Sequence, residues 1–184
     1  MKALINLDYT YDFVADGGAL TCGAPAQKIE SRITQITKKF HENGDFVVFA
    51  IDSHDPKDSY HPESKLFPPH NVAGSKGQEL YGSLKELYDG IRGEENIWYT
   101  RKTRYSAFCG TELYLKLRER KIDEVHIVGV CTDICVLHTA IDAYNLGFSI
   151  KVHEDAVASF NEKGHKEALS HFKNSLGAEI LKGF

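Results

Sequence analysis

The sequence predicts a three-layer α/β/α fold built around a mostly parallel, Rossmann-like sheet. Short apolar runs alternate with helical patterns, and these runs are too continuous for half-exposed antiparallel strands. The length of 184 residues fits one domain, so we predict a single domain over 1–184. Five apolar runs are predicted as buried parallel strands: Ala3–Leu7, Phe46–Ile51, Ile97–Thr100, Val125–Val130 and Phe148–Val152.

Helical patterns fill the intervals between these strands. Thr111 and Asp133 are predicted as helix N-caps, because their side chains can accept a hydrogen bond from the first turn. Ala178–Leu181 is predicted as a last strand, and Ser53–Gly77 as a long irregular segment of functional importance. The first predicted helix has Pro25 in its first turn, repeats apolar residues from Ile29 to Phe40 and stops at Gly44. The other predicted helices are Thr111–Arg120, Asp133–Gly147 and about Glu162–Asn174.

The composition excludes several classes of partner. Lys and Arg number 22 against 26 Asp and Glu, and this net charge of -4 argues against binding to nucleic acid. No segment reaches the roughly 20 apolar residues of a membrane span, and Ala3–Leu7 is too short for a signal peptide. The four cysteines are therefore predicted as free thiols in a reducing cytoplasm.

Polar residues follow four of the predicted strands directly. Ligands of open parallel sheets bind outside the carboxyl ends of the strands, so these residues are the best functional candidates. They are Asp8, the pair Asp52 and His54, Lys102, and Cys135. The sequence thus predicts a carboxylate, a pair of metal-type ligands, an ammonium and a thiol at one edge of the sheet.

Cys135 lies two residues past the predicted cap Asp133, where a helix N-terminus favours a thiolate. This position predicts a nucleophile, although a cysteine is more often a small residue of the core. Lys102 would need partners if buried, and Asp8 and Cys135 can supply them. The alternatives are a surface lysine and an aspartate that caps a turn. Cys131 is predicted to be non-catalytic, because its spacing to Cys135 is not that of a redox C-x-x-C motif.

Asp52 and His54 are two residues apart, so their side chains point to the same face of an extended chain. The following segment adds His61, Glu63 and His70 as further candidate ligands. Such a set suits zinc first, and manganese, iron or magnesium less well. The alternative is a solvated polar loop with no bound metal.

Several motifs together resemble the nicotinamidases of the isochorismatase-like cysteine hydrolases. The resemblance extends in order over nearly the whole chain. The motifs are D-Y-T-Y-D-F at 8–13, D-S-H at 52–54, H-P-E-S-K-L-F-P-P-H at 61–70, K-T-R-Y-S-A-F at 102–108 and G-V-C-T-D-I-C-V at 129–136. One departure is Thr10, where many members carry Gln.

The resemblance implies roles for individual residues. Asp8, Lys102 and Cys135 would be catalytic. A cis peptide would precede Cys131, whose backbone N–H would form an oxyanion hole with that of Cys135. The implied metal ligands are Asp52, His54 and His70, with Glu63 as an additional ligand, and the implied ring-binding residues are Phe13, Phe67 and Tyr105.

The implied activity is the hydrolysis of nicotinamide to nicotinate and ammonia through a thioester, a step of NAD salvage. It would require one divalent metal ion per chain, zinc in the first place, and would be carried out by a homo-oligomer. The alternatives are an amidase of the same group acting on a carbamoyl or ureido substrate, a vinyl-ether hydrolase of isochorismatase type, and a non-catalytic zinc-binding or thiol-sensing module.

Overall fold

The computed structural model describes residues 1–183, and these contain a six-stranded, fully parallel sheet. The spatial order of the strands is β3-β2-β1-β4-β5-β6. The order therefore reverses between β1 and β4, and a ligand crevice is expected beyond their carboxyl ends. The strands are β1 Ala3–Leu7, β2 Phe46–Asp52, β3 Ile97–Lys102, β4 Glu124–Val130, β5 Ser149–Ala158 and β6 Glu179–Leu181.

Helices cover both faces of the sheet, which confirms the predicted fold class. Successive residues of β1 face opposite layers: Leu4 packs on the side of α2, α3 and α4, and Ile5 on the side of α5, α6 and α7. Both side chains are fully buried. The helices are α1 Tyr11–Val14, α2 Ala24–Lys28, α3 Glu30–Glu42, α4 Gly82–Ile91, α5 Leu113–Glu119, α6 Leu137–Asn145 and α7 Glu162–Asn174.

Some predicted boundaries were wrong. The first predicted helix is interrupted at Ile29, which separates α2 from α3. Helix α4 was not predicted, although Leu84 and Ile91 form its buried face. Strand β5 continues six residues beyond the predicted end at Val152, through polar residues that the hydropathy pattern could not identify as strand. Helix α5 begins at Leu113, whose N–H donates to the Thr111 hydroxyl at 3.2 Å.

Gly129 allows the two central strands to approach closely at the edge that carries the site. It pairs with Leu7 and has φ +117°, and a Cβ at this position would overlap the Leu7 carbonyl oxygen. Only glycine satisfies both requirements. As a result, Asp8 lies directly beside the turn that follows β4.

The length and apolar character of the helices in residues 1–183 bear on whether any of them could span a membrane. The longest, α3 and α7, have 13 residues each. None of the helices in this part of the chain has both the length and the apolar character needed to cross a bilayer.

Candidate active site

Lys102 lies at the centre of the cluster formed by the strand ends. It is the last residue of β3, and its side chain is fully buried. Its Nζ contacts Asp8 Oδ2 at 2.8 Å and also pairs with Asp52 Oδ1 at the end of β2. The Cys135 Sγ lies 3.6 Å away, and the Arg104 carbonyl oxygen accepts a further hydrogen bond at 3.2 Å. The structure therefore brings Asp8, Lys102 and Cys135 together.

Two carboxylates share the single Lys102 ammonium, and their pKa values move apart. Burial lowers the pKa of Lys102, but the charges of Asp52 and Asp8 outweigh it and hold this pKa well above its ordinary value. Burial and the neighbouring charge of Asp52 raise the pKa of Asp8 to about 7. For Asp52, burial is outweighed by Lys102 and His54, so its pKa falls below the ordinary value. Asp8 is therefore the carboxylate suited to exchange protons near neutral pH.

Asp8 is also held in an unusual backbone conformation. Its φ is +52°, in the left-handed region that residues with a side chain rarely adopt. The Asp52 N–H donates to Asp8 Oδ1 at 2.8 Å, so the carboxylate is oriented by the neighbouring strand end. Such conformations persist where the surrounding contacts determine them, and they concentrate at functional sites.

Cys135 lies in a π-helical turn, Thr132–Val136, which precedes α6. The predicted helix cap at Asp133 was wrong, because its carboxylate instead accepts hydrogen bonds from Ser159 Oγ at 2.6 Å and Asn161 Nδ2 at 3.3 Å. The expected stabilisation of a thiolate by a helix start was wrong as well. Burial raises the pKa of the Cys135 thiol well above its ordinary value, although Lys102 opposes this effect. The resting thiol is protonated and needs a base.

Cys131 opens the same turn but directs its sulfur elsewhere. The Val130–Cys131 peptide is cis, as the resemblance implied. The Cys131 carbonyl oxygen accepts hydrogen bonds from Ile134 N–H and Val136 N–H at 3.1 and 3.2 Å. Its Sγ lies 3.1 Å from Cys22 Sγ. The side chain therefore has a partner other than Cys135.

A small cavity opens beside Cys135. Its wall includes all three residues for which the resemblance implied ring binding, namely Phe13, Phe67 and Tyr105. Sequence reasoning missed three further apolar residues of this wall, because they lie in loops and turns whose position depends on the tertiary fold. They are Leu20, Ile134 and Phe160.

Four side chains beside this cavity form a candidate metal centre: Asp52 and Glu63 line the cavity itself, and the two histidines line an adjoining one. Their ligand atoms lie within 4.8 Å of one another, and the four residues are Asp52, His54, Glu63 and His70. The Nε2 atoms of His54 and His70 are buried and have no hydrogen-bond partner among residues 1–183. His70 Nδ1 lies 2.9 Å from the Pro68 carbonyl, which orients the ring. Two imidazole nitrogens and two carboxylates suit a divalent ion such as zinc.

His61, a further candidate ligand, does not belong to this set. Its Nδ1 accepts from the Glu63 N–H at 3.3 Å, so its Nε2–H donates to the Thr103 carbonyl at 2.6 Å. Both ring nitrogens are therefore engaged. The role of His61 is to connect the segment of Glu63 to the chain just beyond Lys102.

Thr10, the departure from the family pattern, supports the same region. Its hydroxyl donates to Asn71 Oδ1 at 2.9 Å, and Asp12 Oδ2 accepts from the Asn71 N–H at 2.8 Å. Asn71 follows the candidate ligand His70 directly. The chain after β1 thus anchors the end of the metal-binding segment.

Comparison with known proteins agrees with the motifs. The sequence pattern of the isochorismatase domain matches residues 2–182. The chain belongs to the isochorismatase family. This isochorismatase-family protein is 63% identical over 181 residues to the family member PncA of Bacillus subtilis, and the match covers 98% of this chain and 99% of the relative.

Solved structures also resemble the isochorismatase-family protein. The crystal structure of nicotinamidase/pyrazinamidase PncA from Bacillus subtilis has a TM-score of 0.96 at 62% identity, covering 98% of this chain and 99% of that chain. The pyrazinamidase of Pyrococcus horikoshii, crystallised in complex with zinc, has a TM-score of 0.85 at 31% identity, covering 99% of each chain. The family inferred from the motifs is thereby confirmed.

Proposed function

We propose that this protein is a nicotinamidase that hydrolyses nicotinamide to nicotinate and ammonia through a thioester on Cys135. The observation that supports it best is a cavity lined by Cys135, by the three aromatic residues and by two of the four candidate metal ligands, Asp52 and Glu63. A carboxamide on a pyridine ring uses every part of this cavity. The activities named for its relatives of known structure agree with this proposal.

In the proposed first step, Asp8 accepts the proton of the Cys135 thiol, and the sulfur attacks the carboxamide carbon. The thiol is protonated at rest, whereas Asp8 has a pKa of about 7, so Asp8 is the base within reach. Lys102 Nζ, 3.6 Å from the sulfur, stabilises the negative charge as it develops. The proton acceptor thus follows β1 and the charge partner ends β3, on either side of β2.

The backbone N–H groups of Cys131 and Cys135 are proposed to stabilise the oxyanion of the tetrahedral intermediate. Asp8 returns its proton to the leaving nitrogen, the carbon–nitrogen bond breaks and ammonia departs. Asp8 then takes a proton from water, whose oxygen attacks the thioester. The carbon–sulfur bond breaks, Asp8 returns this proton to the Cys135 sulfur, and the acid product leaves and ionises to nicotinate.

Asp52, His54 and His70, together with Glu63, are proposed to hold one divalent ion, with zinc as the first choice over manganese, iron or magnesium. When bound, the ion would attract the lone pair of the ring nitrogen as a Lewis acid. The Phe13 ring lies 5.4 Å from the His70 ring, so an aromatic substrate beside Phe13 is also next to the ligand set. These contacts orient the ring with its carboxamide toward Cys135.

Benzamide provides the sharpest test, because it has the shape and the scissile bond of nicotinamide but lacks the ring nitrogen. We expect kcat/KM for nicotinamide to exceed that for benzamide by a factor on the order of 10² or more. Ammonia release from each amide by the zinc-loaded protein is the measurement. Equal rates would refute the ring-nitrogen contact and leave the amidase chemistry intact. Bound zinc without ammonia release would indicate a non-catalytic zinc-binding module.

The cellular setting follows from the same proposal. Because the proposed product is nicotinate, we propose a role in NAD salvage. We also place the protein in the cytoplasm. In support of that location, all four cysteines are free. Assembly into a homo-oligomer stays a prediction. A carbamoyl or ureido substrate is less well matched, because it offers no ring nitrogen to the four candidate ligands.

A further inference from the structure

The sulfur atoms of Cys22 and Cys131 meet at the wall of the cavity, and neither sulfur has a part in the proposed hydrolysis. Cys22, between α1 and α2, and Cys131, at the start of the nucleophile turn, are 109 residues apart in sequence. Their Sγ atoms are nevertheless 3.1 Å apart, and the two residues are only 4% and 5% exposed. Neither belongs to a group of candidate metal ligands within residues 1–183.

The distance between these sulfurs is close to what a covalent bond requires. A disulfide joins two sulfurs at about 2.05 Å, so an approach of roughly 1 Å would complete one. The surroundings are apolar: both cysteines belong to the cluster that contains Phe13 and Val14. Each thiol therefore has the other as its polar partner.

Access to the pair is unequal. Cys131 lines the cavity that also contains Cys135, whereas Cys22 lies behind it in the apolar cluster. A small oxidant that enters the cavity therefore meets Cys131 first. Cys22 is then in position to react with the oxidised sulfur.

We propose that Cys22 and Cys131 are a modification site that forms a reversible disulfide when a hydroperoxide enters the cavity. In the first step the Cys131 thiolate attacks one peroxide oxygen, the O–O bond breaks, and a sulfenic acid and water or an alcohol result. In the second, Cys22 sulfur attacks the sulfenic sulfur, the S–O bond breaks, and hydroxide leaves with the Cys22 proton as water. Two thiols lose two electrons, which reduce the peroxide.

The rate of this reaction has a defined pH dependence. The hydrogen bond with Cys22, together with burial, raises the pKa of the Cys131 thiol well above its ordinary value. Only a small fraction is thiolate at neutral pH, so oxidation is slow there and accelerates as the pH rises toward 9. The pair consequently stays reduced until the oxidant is abundant.

The disulfide would also disturb the hydrolytic site. Cys131 begins the turn that carries Cys135, and drawing its sulfur toward Cys22 moves the start of this turn by up to about 1 Å. Misplacements of that size reduce turnover by as much as about 10²-fold. We expect at least a 10-fold loss of activity, reversed by dithiothreitol.

The test compares the wild-type protein with Cys22→Ser, Cys22→Ala and the matched control Cys109→Ser. Each is treated with hydrogen peroxide, or with diamide, which oxidises thiols only as far as disulfides. Peptides are then mapped by mass spectrometry without reduction. A Cys22–Cys131 cross-linked peptide is expected in the wild type and in Cys109→Ser. The exposed Cys109 reports that the oxidant was active.

Activity is measured in parallel. Diamide should inactivate the wild type and Cys109→Ser reversibly and leave both Cys22 variants active. Absence of the cross-link while Cys109 is oxidised would overturn the proposal, as would a Cys131–Cys135 cross-link in its place or equal reversible inactivation of the Cys22 variants. The activity measurement rests on the proposed nicotinamidase reaction. Peptide mapping does not, so failure of that reaction and failure of this proposal are distinguishable.

Discussion

At the scale of single residues, two chemically identical carboxylates acquire different functions from their surroundings. Asp8 and Asp52 both contact Lys102 Nζ, and both are buried. Asp52 has the His54 side chain as an additional hydrogen-bond partner, which helps to lower its pKa, whereas burial and the charge of Asp52 raise the pKa of Asp8. One carboxylate is thereby kept ionised for a cation, and the other is able to exchange a proton.

The role of Asp8 can be tested by replacing it with an isosteric amide. Asp8→Asn keeps the shape of the side chain but removes the base that accepts the Cys135 proton. We expect kcat for nicotinamide to fall by roughly 10² or more. Asp45→Asn is the matched control, since Asp45 is also buried and lies just before β2, at the opposite end of the strand from Asp52. Unchanged turnover in folded Asp8→Asn would remove Asp8 from the mechanism.

At the scale of elements, the nucleophile turn is held in place by β5 and α7 and by the chain between them. Thr132 Oγ1 lies 2.8 Å from His165 Nδ1 on α7, and Asp133 accepts from Ser159 just after β5. Gly164 permits close packing here, because a Cβ would overlap the Asp133 carboxylate. The turn that carries Cys135 is therefore positioned by tertiary contacts rather than by its own helix.

Strands β4 and β5 contain a buried histidine pair at a distance from the candidate site. His126 Nε2 lies 3.0 Å from Glu124 Oε1, and its Nδ1 lies 2.9 Å from His153 Nε2. The carboxylate requires a donor, so His126 donates from Nε2 and accepts at Nδ1 from the His153 N–H. Burial and the neighbouring His126 lower the pKa of His153 to about 4.

This pair makes stability depend on pH. The unfolded chain protonates His153 near pH 6.5 and the folded chain only near pH 4, so the unfolded state binds more protons between these values. The contribution of neutral His153 to stability is complete above pH 6.5 and is lost as the pH falls toward 4. We expect a loss of about 2 kcal/mol in unfolding free energy between pH 7 and pH 5 from this residue.

The measurement is urea unfolding of the wild type and His153→Gln at pH 7, 6 and 5. Glutamine keeps an N–H donor for His126 but does not titrate, so the pH slope should be shallower. His171→Gln, a change at an exposed histidine of α7, should keep the wild-type slope. Identical slopes in the wild type and His153→Gln would contradict the assignment of this pH dependence to His153.

At the scale of the whole molecule, the candidate metal centre joins the sheet to the long segment that follows β2. Asp52 belongs to the strand itself, whereas Glu63 and His70 come from the segment that leads to α4. A bound ion would cross-link the two. Metal binding should therefore contribute to stability as well as to activity.

Removal of the metal tests this link. A free ion at 100 times its dissociation constant stabilises the folded state by about 2.7 kcal/mol, which corresponds to roughly 5–10 °C in Tm for a chain of this size. We expect chelation to lower Tm by that amount and to abolish turnover, and zinc to restore both. His54→Ala should lose the metal by elemental analysis, whereas His171→Ala should retain it. Full occupancy in His54→Ala would show that the ligands are misassigned.

Much of the architecture was accessible from the sequence because buried parallel strands leave continuous apolar runs. The polar residues that end these runs, such as Asp8 and Lys102, were predicted to meet at one edge, and the structure brings them together. The prediction failed where tertiary contacts override local preference. Asp133 bonds to Ser159 instead of capping a helix. Strand β5 continues beyond Val152 because His153 pairs with β6 and the end of the strand pairs with β4.

The sequence by itself determined the fold class, the family, and the residue types that converge on the strand ends. These three features can be predicted from the sequence because they depend on local patterns, namely apolar runs and short motifs. Only the tertiary structure decided that Cys135 is a buried, protonated thiol, that Asp8 has the pKa near 7, and that Cys22 lies against Cys131. Burial and the distances between charges set these properties, and both arise from contacts between residues that are far apart along the chain.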